Sequence, residues 1–124
     1  LAARQYDRGV RAALRLAHDH GVEVLHVWQP WLGTIPVDRP GVGAVLDRWS
    51  IRPQDLAGAA QLTRLALQYS TVAPVDLTRL FDEVDHPVYW DWSHTSEVGA
   101  GDQAEALLEY LLPLLDRAGA RPVA

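Results

Sequence analysis

Asp91 and His94 are the residues of this chain whose types and spacing best suit catalysis. Acyl transfer by a serine hydroxyl needs an imidazole base, and a carboxylate that fixes the ring tautomer and stabilises its cation. The two stand three positions apart, after an extended Val88-Tyr89-Trp90 and before a helix. In a loop, that spacing lets the carboxylate fold back onto Nδ1 while Nε2 faces outward. The spacing is weak evidence by itself, because a turn-forming aspartate beside a helix-capping histidine reads the same way.

Other chemistry-bearing residues fit function less well. Asp85, His86, Asp91 and His94 combine donors that suit zinc, but their spacings match no ligand motif. No metal is expected. Gly41-Val42-Gly43 lacks the further glycines and the lysine of a phosphate loop, so no nucleotide cofactor is expected either. His18 and His20 sit near a helix C-terminus, where partial positive charge complements the dipole. His26, inside a strand, reads as a packing residue.

The chain holds five tryptophans. Trp28 and Trp90 are expected in the core. Trp31 follows Gln29-Pro30 at the end of a strand, and Trp92 lies between Asp91 and His94. Both are expected to wall a substrate pocket, because parallel sheets bind ligands beyond the C-terminal ends of their strands.

The elements that must position these residues follow from periodicity. Tyr6, Val10, Ala13, Leu14 and Ala17 share one helical face opposite arginines, and Gly21 is the stop, giving a helix over 4–20. Val22 to Trp28 is β-branched and closed by Gln29-Pro30, which predicts a strand buried on both faces of a parallel sheet. Residues 31–50 hold two prolines and three glycines and read as a long loop of the lid or binding type. Ser50 is the expected N-cap of a helix running to Tyr69, with Pro53 in its first turn. Val72 to Leu77 is a short strand that its proline assigns to an edge. Asp76 to Asp85 is turn or single-turn helix. A last helix begins near Ser96 or Glu97, and Pro113 should kink or end it. Helix, strand, helix, strand, helix is an α/β order.

Composition narrows the functional classes. With 48% hydrophobic residues the chain has material for a core, and no apolar run approaches the roughly 18 residues of a membrane span. A net charge of −5, with scattered arginines and no lysine, gives no reason to expect nucleic acid or an anionic membrane as partner. The absence of cysteine excludes disulfides and thiolate metal sites and leaves the compartment open, cytoplasmic or secreted. The chain opens Leu1-Ala2-Ala3-Arg4 and lacks methionine, so it reads as a fragment, with any targeting segment expected upstream.

Gly99 lies five residues after His94 and Ala104 ten after, ahead of a leucine-rich helix. This Asp91-x-x-His94-x4-Gly99-x4-Ala104 pattern resembles the last conserved block of SGNH (GDSL-type) hydrolases. The order of the upstream segments is similar too: helix, strand ending in Gln29-Pro30, then Val75-Asp76-Leu77-Thr78 and Phe81. The resemblance spans essentially the whole chain, but only Asp91–Ala104 is specific. It implies a serine esterase or acyl hydrolase in which Asp91 orients His94, the general base and then general acid. Gly99 and Ala104 would let the last helix start close to the sheet. It also implies a fold, the C-terminal part of a three-layer α/β/α sandwich with a parallel, flavodoxin-like sheet, residues 1–124 being part of one domain. The substrate implied is a small-molecule or glycan ester.

The departures are as definite. No Gly-Asp-Ser nucleophile block, no Gly-Asn-Asp segment and no Gly-x-Ser-x-Gly elbow occurs. The serines present are Ser50, Ser70, Ser93 and Ser96, none in a nucleophile setting. The nucleophile is therefore expected upstream. The rival expectation is a degenerate hydrolase-like binding domain, or an inert truncated product.

Overall fold

The computed structural model describes residues 2–119. The first helix, α1 (Ala2–Asp19), turns Tyr6, Val10, Leu14 and Ala17 inward, half-buried, while Arg4, Arg8, Arg11 and Arg15 face solvent. Ala13, expected on the inner face, is exposed. The helix ends as its glycine predicts. Gly21 takes φ 65°, the Gly21 amide donates to His18 O and the Val22 amide to Ala17 O, which together form a Schellman stop. Asp7, buried on the inner face, accepts hydrogen bonds from the Thr71 amide and hydroxyl, both at 2.7 Å. These bonds hold the carboxyl below the usual aspartate range and fasten α1 to the chain leaving the helix it packs on, α3 (Pro53–Tyr69).

The sheet is far smaller than the sequence suggests. β1 (Val27–Trp28) pairs in parallel with β2 (Val75–Asp76), in register Val27 to Val75 and Trp28 to Asp76. Of the predicted strand 22–28 only the last two residues pair, and Val22 and Val24 are exposed. A backbone becomes strand only where a neighbour offers donors and acceptors, and here β2 runs alongside for two residues.

The expected three-layer α/β/α sandwich is therefore wrong for this chain. Among the described residues the structure is 53% helix with a single two-stranded parallel sheet, and its core does not lie between sheet and helix layers. The core lies under the stretch read as a loop. Leu32, Ile35, Val42, Val45 and Leu46 pack with Leu56, Phe81, Val88 and Tyr89. Within that stretch Val42–Arg48 forms α2, which buries Val42, Val45 and Leu46 at i, i+3 and i+4. Gly41 starts α2 at φ 81°, and a Cβ there would lie 2.8 Å from Pro87 Cβ, so the turn rests on the segment leading to Asp91.

Two further boundaries differ. The N-cap of α3 is Arg52 rather than Ser50, with Pro53 in the first turn, and the Arg52 guanidinium bonds Asp55 through Nε and Nη2 at 2.8 Å. The last helix, α4 (Glu97–Arg117), starts at the Ser96 cap and continues through Pro113 to Arg117. Proline removes one backbone donor there without ending the helix. Among the described residues no helix is long and apolar enough to cross a membrane.

Candidate active site

Residues 88–96 form a tight reversed segment braced at both ends. Tyr89 and Thr95 make an antiparallel bridge, the Ser96 amide donates to Val88 O at 2.8 Å, and the Trp90 amide to His94 O at 2.9 Å. Val88 and Tyr89 are buried in the core, so the segment that leads to Asp91 is anchored from beneath. On the far side the Ser96 hydroxyl accepts from the Gly99 amide at 3.2 Å and donates to Pro87 O at 3.3 Å. A Cβ on Gly99 would sit 2.5 Å from Val88 O. Glycine here is what lets α4 begin against the Val88 backbone. Ala104, the other small residue of the block, is exposed and serves no such approach in this chain.

Within this brace Asp91 and His94 meet. Asp91 Oδ2 lies 2.7 Å from His94 Nδ1. Asp91 Oδ1 accepts the backbone amides of Ser93 and His94, both at 2.8 Å, and the Ser93 hydroxyl at 3.3 Å. The amide of Ser93, then the His94 side chain and the His94 amide, hold the Asp91 carboxyl far below the usual aspartate range. Exposure is unequal: the Asp91 side chain is 15% exposed and that of His94 is 77%. The imidazole thus stands out from the surface with Nδ1 tied inward. Every hydrogen bond of the ring among the described residues runs through Nδ1.

The serines of the chain are engaged elsewhere. Ser93 lies beside Nδ1, on the Asp91 side of the ring, at 3.3 Å. Ser96 caps α4, and the Ser70 hydroxyl donates to Val72 O at 2.7 Å. Ser50 sits in the turn after α2 at φ 52°. None bonds Nε2.

The two expected pocket tryptophans come from loops that touch. The Leu32 amide donates to Trp92 O at 3.2 Å, which sets the Trp31–Thr34 turn against the Asp91–His94 loop. Trp31 is half-buried against the core, its indole folded so closely over Gly33 that a Cβ there would overlap it. Trp92 is 54% exposed. Trp31 is thus packed against the core, while Trp92 is open to solvent.

Trp90, expected in the core, is 65% exposed instead, and the Arg48 guanidinium stacks over its ring at 5.4 Å. Val88 and Tyr89 of the same segment fill the core, which leaves Trp90 outside it. Trp28 is half-buried, edge-on to Tyr6 with centroids 5.0 Å apart. His26 Nε2 shares a 2.6 Å hydrogen bond with the Tyr6 hydroxyl, but its Nδ1 is buried without a partner, so it is only half satisfied.

The four residues weighed as a zinc cluster separate into two pairs. His86 lies 3.0 Å from Asp85 and 3.3 Å from Asp102 of α4, apart from the Asp91–His94 pair. Among the described residues no three such side chains form a group that could hold a metal. Comparison with protein-family models, curated proteins and solved structures finds no match to this chain.

Proposed function

We propose that Asp91 and His94 are the acid–base half of a serine-hydrolase triad that acts on esters. The observation that carries this is the 2.7 Å Asp91–His94 contact through Nδ1, in a loop whose backbone amides pin the carboxylate. A carboxylate so bonded accepts a hydrogen bond from Nδ1–H and leaves Nε2 as the basic atom, which is the arrangement that deprotonates a serine hydroxyl. His94 takes that proton as the oxygen attacks the ester carbonyl, and returns it to the leaving alcohol. Water then repeats the cycle on the acyl-enzyme. Asp91 stays ionised throughout and offsets the imidazolium charge. The attacking serine is a residue outside 1–124, because Ser50, Ser70, Ser93 and Ser96 all stand away from Nε2. Trp92 and Trp31 bound the side of the site where the substrate lies.

The test is ester turnover. Residues 1–124 alone should hydrolyse para-nitrophenyl acetate no faster than free imidazole. Joined to the Gly-Asp-Ser block of its own reading frame, the protein should release a burst of nitrophenol matched to enzyme concentration. His94→Ala should then lower turnover by about three orders of magnitude or more. Wild-type turnover in a folded His94→Ala protein, or a reading frame without that block, would overturn the proposal and leave a binding domain.

A further inference from the structure

A cavity of about 330 Å³ opens beyond the C-terminal end of β2, against α3. Asp76 is the last residue of β2, and Thr78 follows at the rim. Arg79 and Asp82 close the side formed by the following turn, while Thr63 and Arg64 project from α3. Thr34 completes it from the loop that follows β1. A second recess along α3, of about 330 Å³, adjoins the first, sharing Thr34, Ala60 and Arg64 with it.

The charges of this cavity balance. Two arginines face two aspartates, and one pair is already satisfied, with Arg79 Nε 2.7 Å from Asp82 Oδ2. Arg64 has no carboxylate partner among the described residues. Asp76 Oδ1 accepts the Thr78 amide at 2.9 Å, which leaves Oδ2 open. An anion attracted by Arg64 would also meet two carboxylates, and a cation attracted by Asp76 would meet two guanidiniums. A neutral ligand meets no such opposition. One carrying adjacent hydroxyls can donate to Asp76, accept from Arg64, and do both with the Thr78 hydroxyl, whereas Thr63, whose own proton goes to Ala59 O, can only accept. The position agrees, since ligands of parallel sheets gather beyond the strand C-termini.

We propose that this cavity binds a neutral polyhydroxylated ligand, a carbohydrate in chemical class. Thr34 connects it to the catalytic loop. Its hydroxyl donates to Trp31 O at 2.8 Å and accepts the Trp31 amide at 3.1 Å, closing the turn whose Leu32 amide bonds Trp92 O. A sugar held in the cavity thus lies one turn away from the Asp91–His94 loop. That the sugar belongs to the ester His94 acts on rests on the acyl-hydrolase reading; the binding itself does not.

The experiment is an amide-shift titration of the ¹⁵N-labelled chain with xylotriose, maltotriose and chitotriose, and with trigalacturonate as the anionic counterpart. At least one neutral trisaccharide should shift Thr34, Asp76 and Thr78, and trigalacturonate should not. Asp76→Asn and Arg64→Gln should each weaken that binding about tenfold or more, with the fold checked by the unchanged spectrum elsewhere. His94→Ala should bind the sugar as the wild type does, so loss of turnover and loss of binding separate the two readings. No shift with any neutral trisaccharide, a preference for trigalacturonate, or shifts elsewhere only would each overturn the proposal.

Discussion

Asp91 concentrates the local chemistry because four donors converge on one carboxylate. Two are backbone amides fixed by the turn, one is the ring of His94, and the fourth is the longer contact from Ser93 Oγ. These bonds favour the charged form, so the folded carboxyl titrates below its unfolded value of about 3.9. A depressed pKa of this kind contributes stability that is present above the unfolded value and lost as pH falls through the folded one. The Ser93 and His94 amides should therefore keep their shifts at a pH where ordinary aspartates have already protonated, and change only below it. A pH titration followed on those two amides checks this. Changes at the ordinary aspartate pKa would mean that the carboxylate is not held as described. The pair was legible in the sequence because i, i+3 geometry in a turn is local. The exposure of Trp90 was not, because it depends on Val88 and Tyr89 filling the core first.

At the scale of elements, Gly99 is the contact that sets α4 against the Val88 segment leading to Asp91. A methyl group there meets Val88 O at 2.5 Å, a backbone atom that cannot rotate away. Gly99→Ala should cost about 1–3 kcal/mol, as overpacking does, and disturb the Val88 and Ser96 amides. Gly101, two residues on, has open space at its Cβ position, so Gly101→Ala should stabilise α4 by about 0.5–1 kcal/mol through helix propensity. Urea melts of the two variants check the contrast, and equal effects would remove the packing role of Gly99. Helix ends marked by local chemistry, Gly21 after α1 and Ser96 before α4, were readable from sequence. The short helix α2 was not, although Val42, Val45 and Leu46 carry helical spacing. Glycines and prolines around them obscure a helix that only the core makes worthwhile.

Across the whole molecule, stability resides in the cluster beneath 31–89 rather than in the sheet or α4. Phe81 is 1% exposed and packs edge-on to Tyr89 at 5.6 Å, whereas Leu112 is 49% exposed. Phe81→Ala should cost about 3–5 kcal/mol of unfolding free energy. Leu112→Ala should stay within about 0.5 kcal/mol. Similar losses from both would place the core elsewhere. The α/β element order pointed towards parallel pairing, and β1 and β2 do pair in parallel. It did not foretell a sheet of two residues per strand, because alternation and β-branching report what a segment can bury, not whether neighbouring strands are there to pair with it. The sandwich expected from the resemblance failed for that reason, while the Asp91–His94 loop, braced by its own backbone bonds and by Ser96, does not depend on a wide sheet.

In the proposed triad Asp91 fixes His94 with the proton on Nδ1 and leaves Nε2 basic. Long-range ¹H–¹⁵N correlation of the histidine side chains reads this directly in neutral imidazole. The geometry requires His94 to be the Nδ1–H tautomer, and Asp91→Asn to shift it towards Nε2–H, since the amide that replaces Oδ2 would donate to Nδ1. A wild-type His94 found as the Nε2–H tautomer, unchanged by Asp91→Asn, would contradict it.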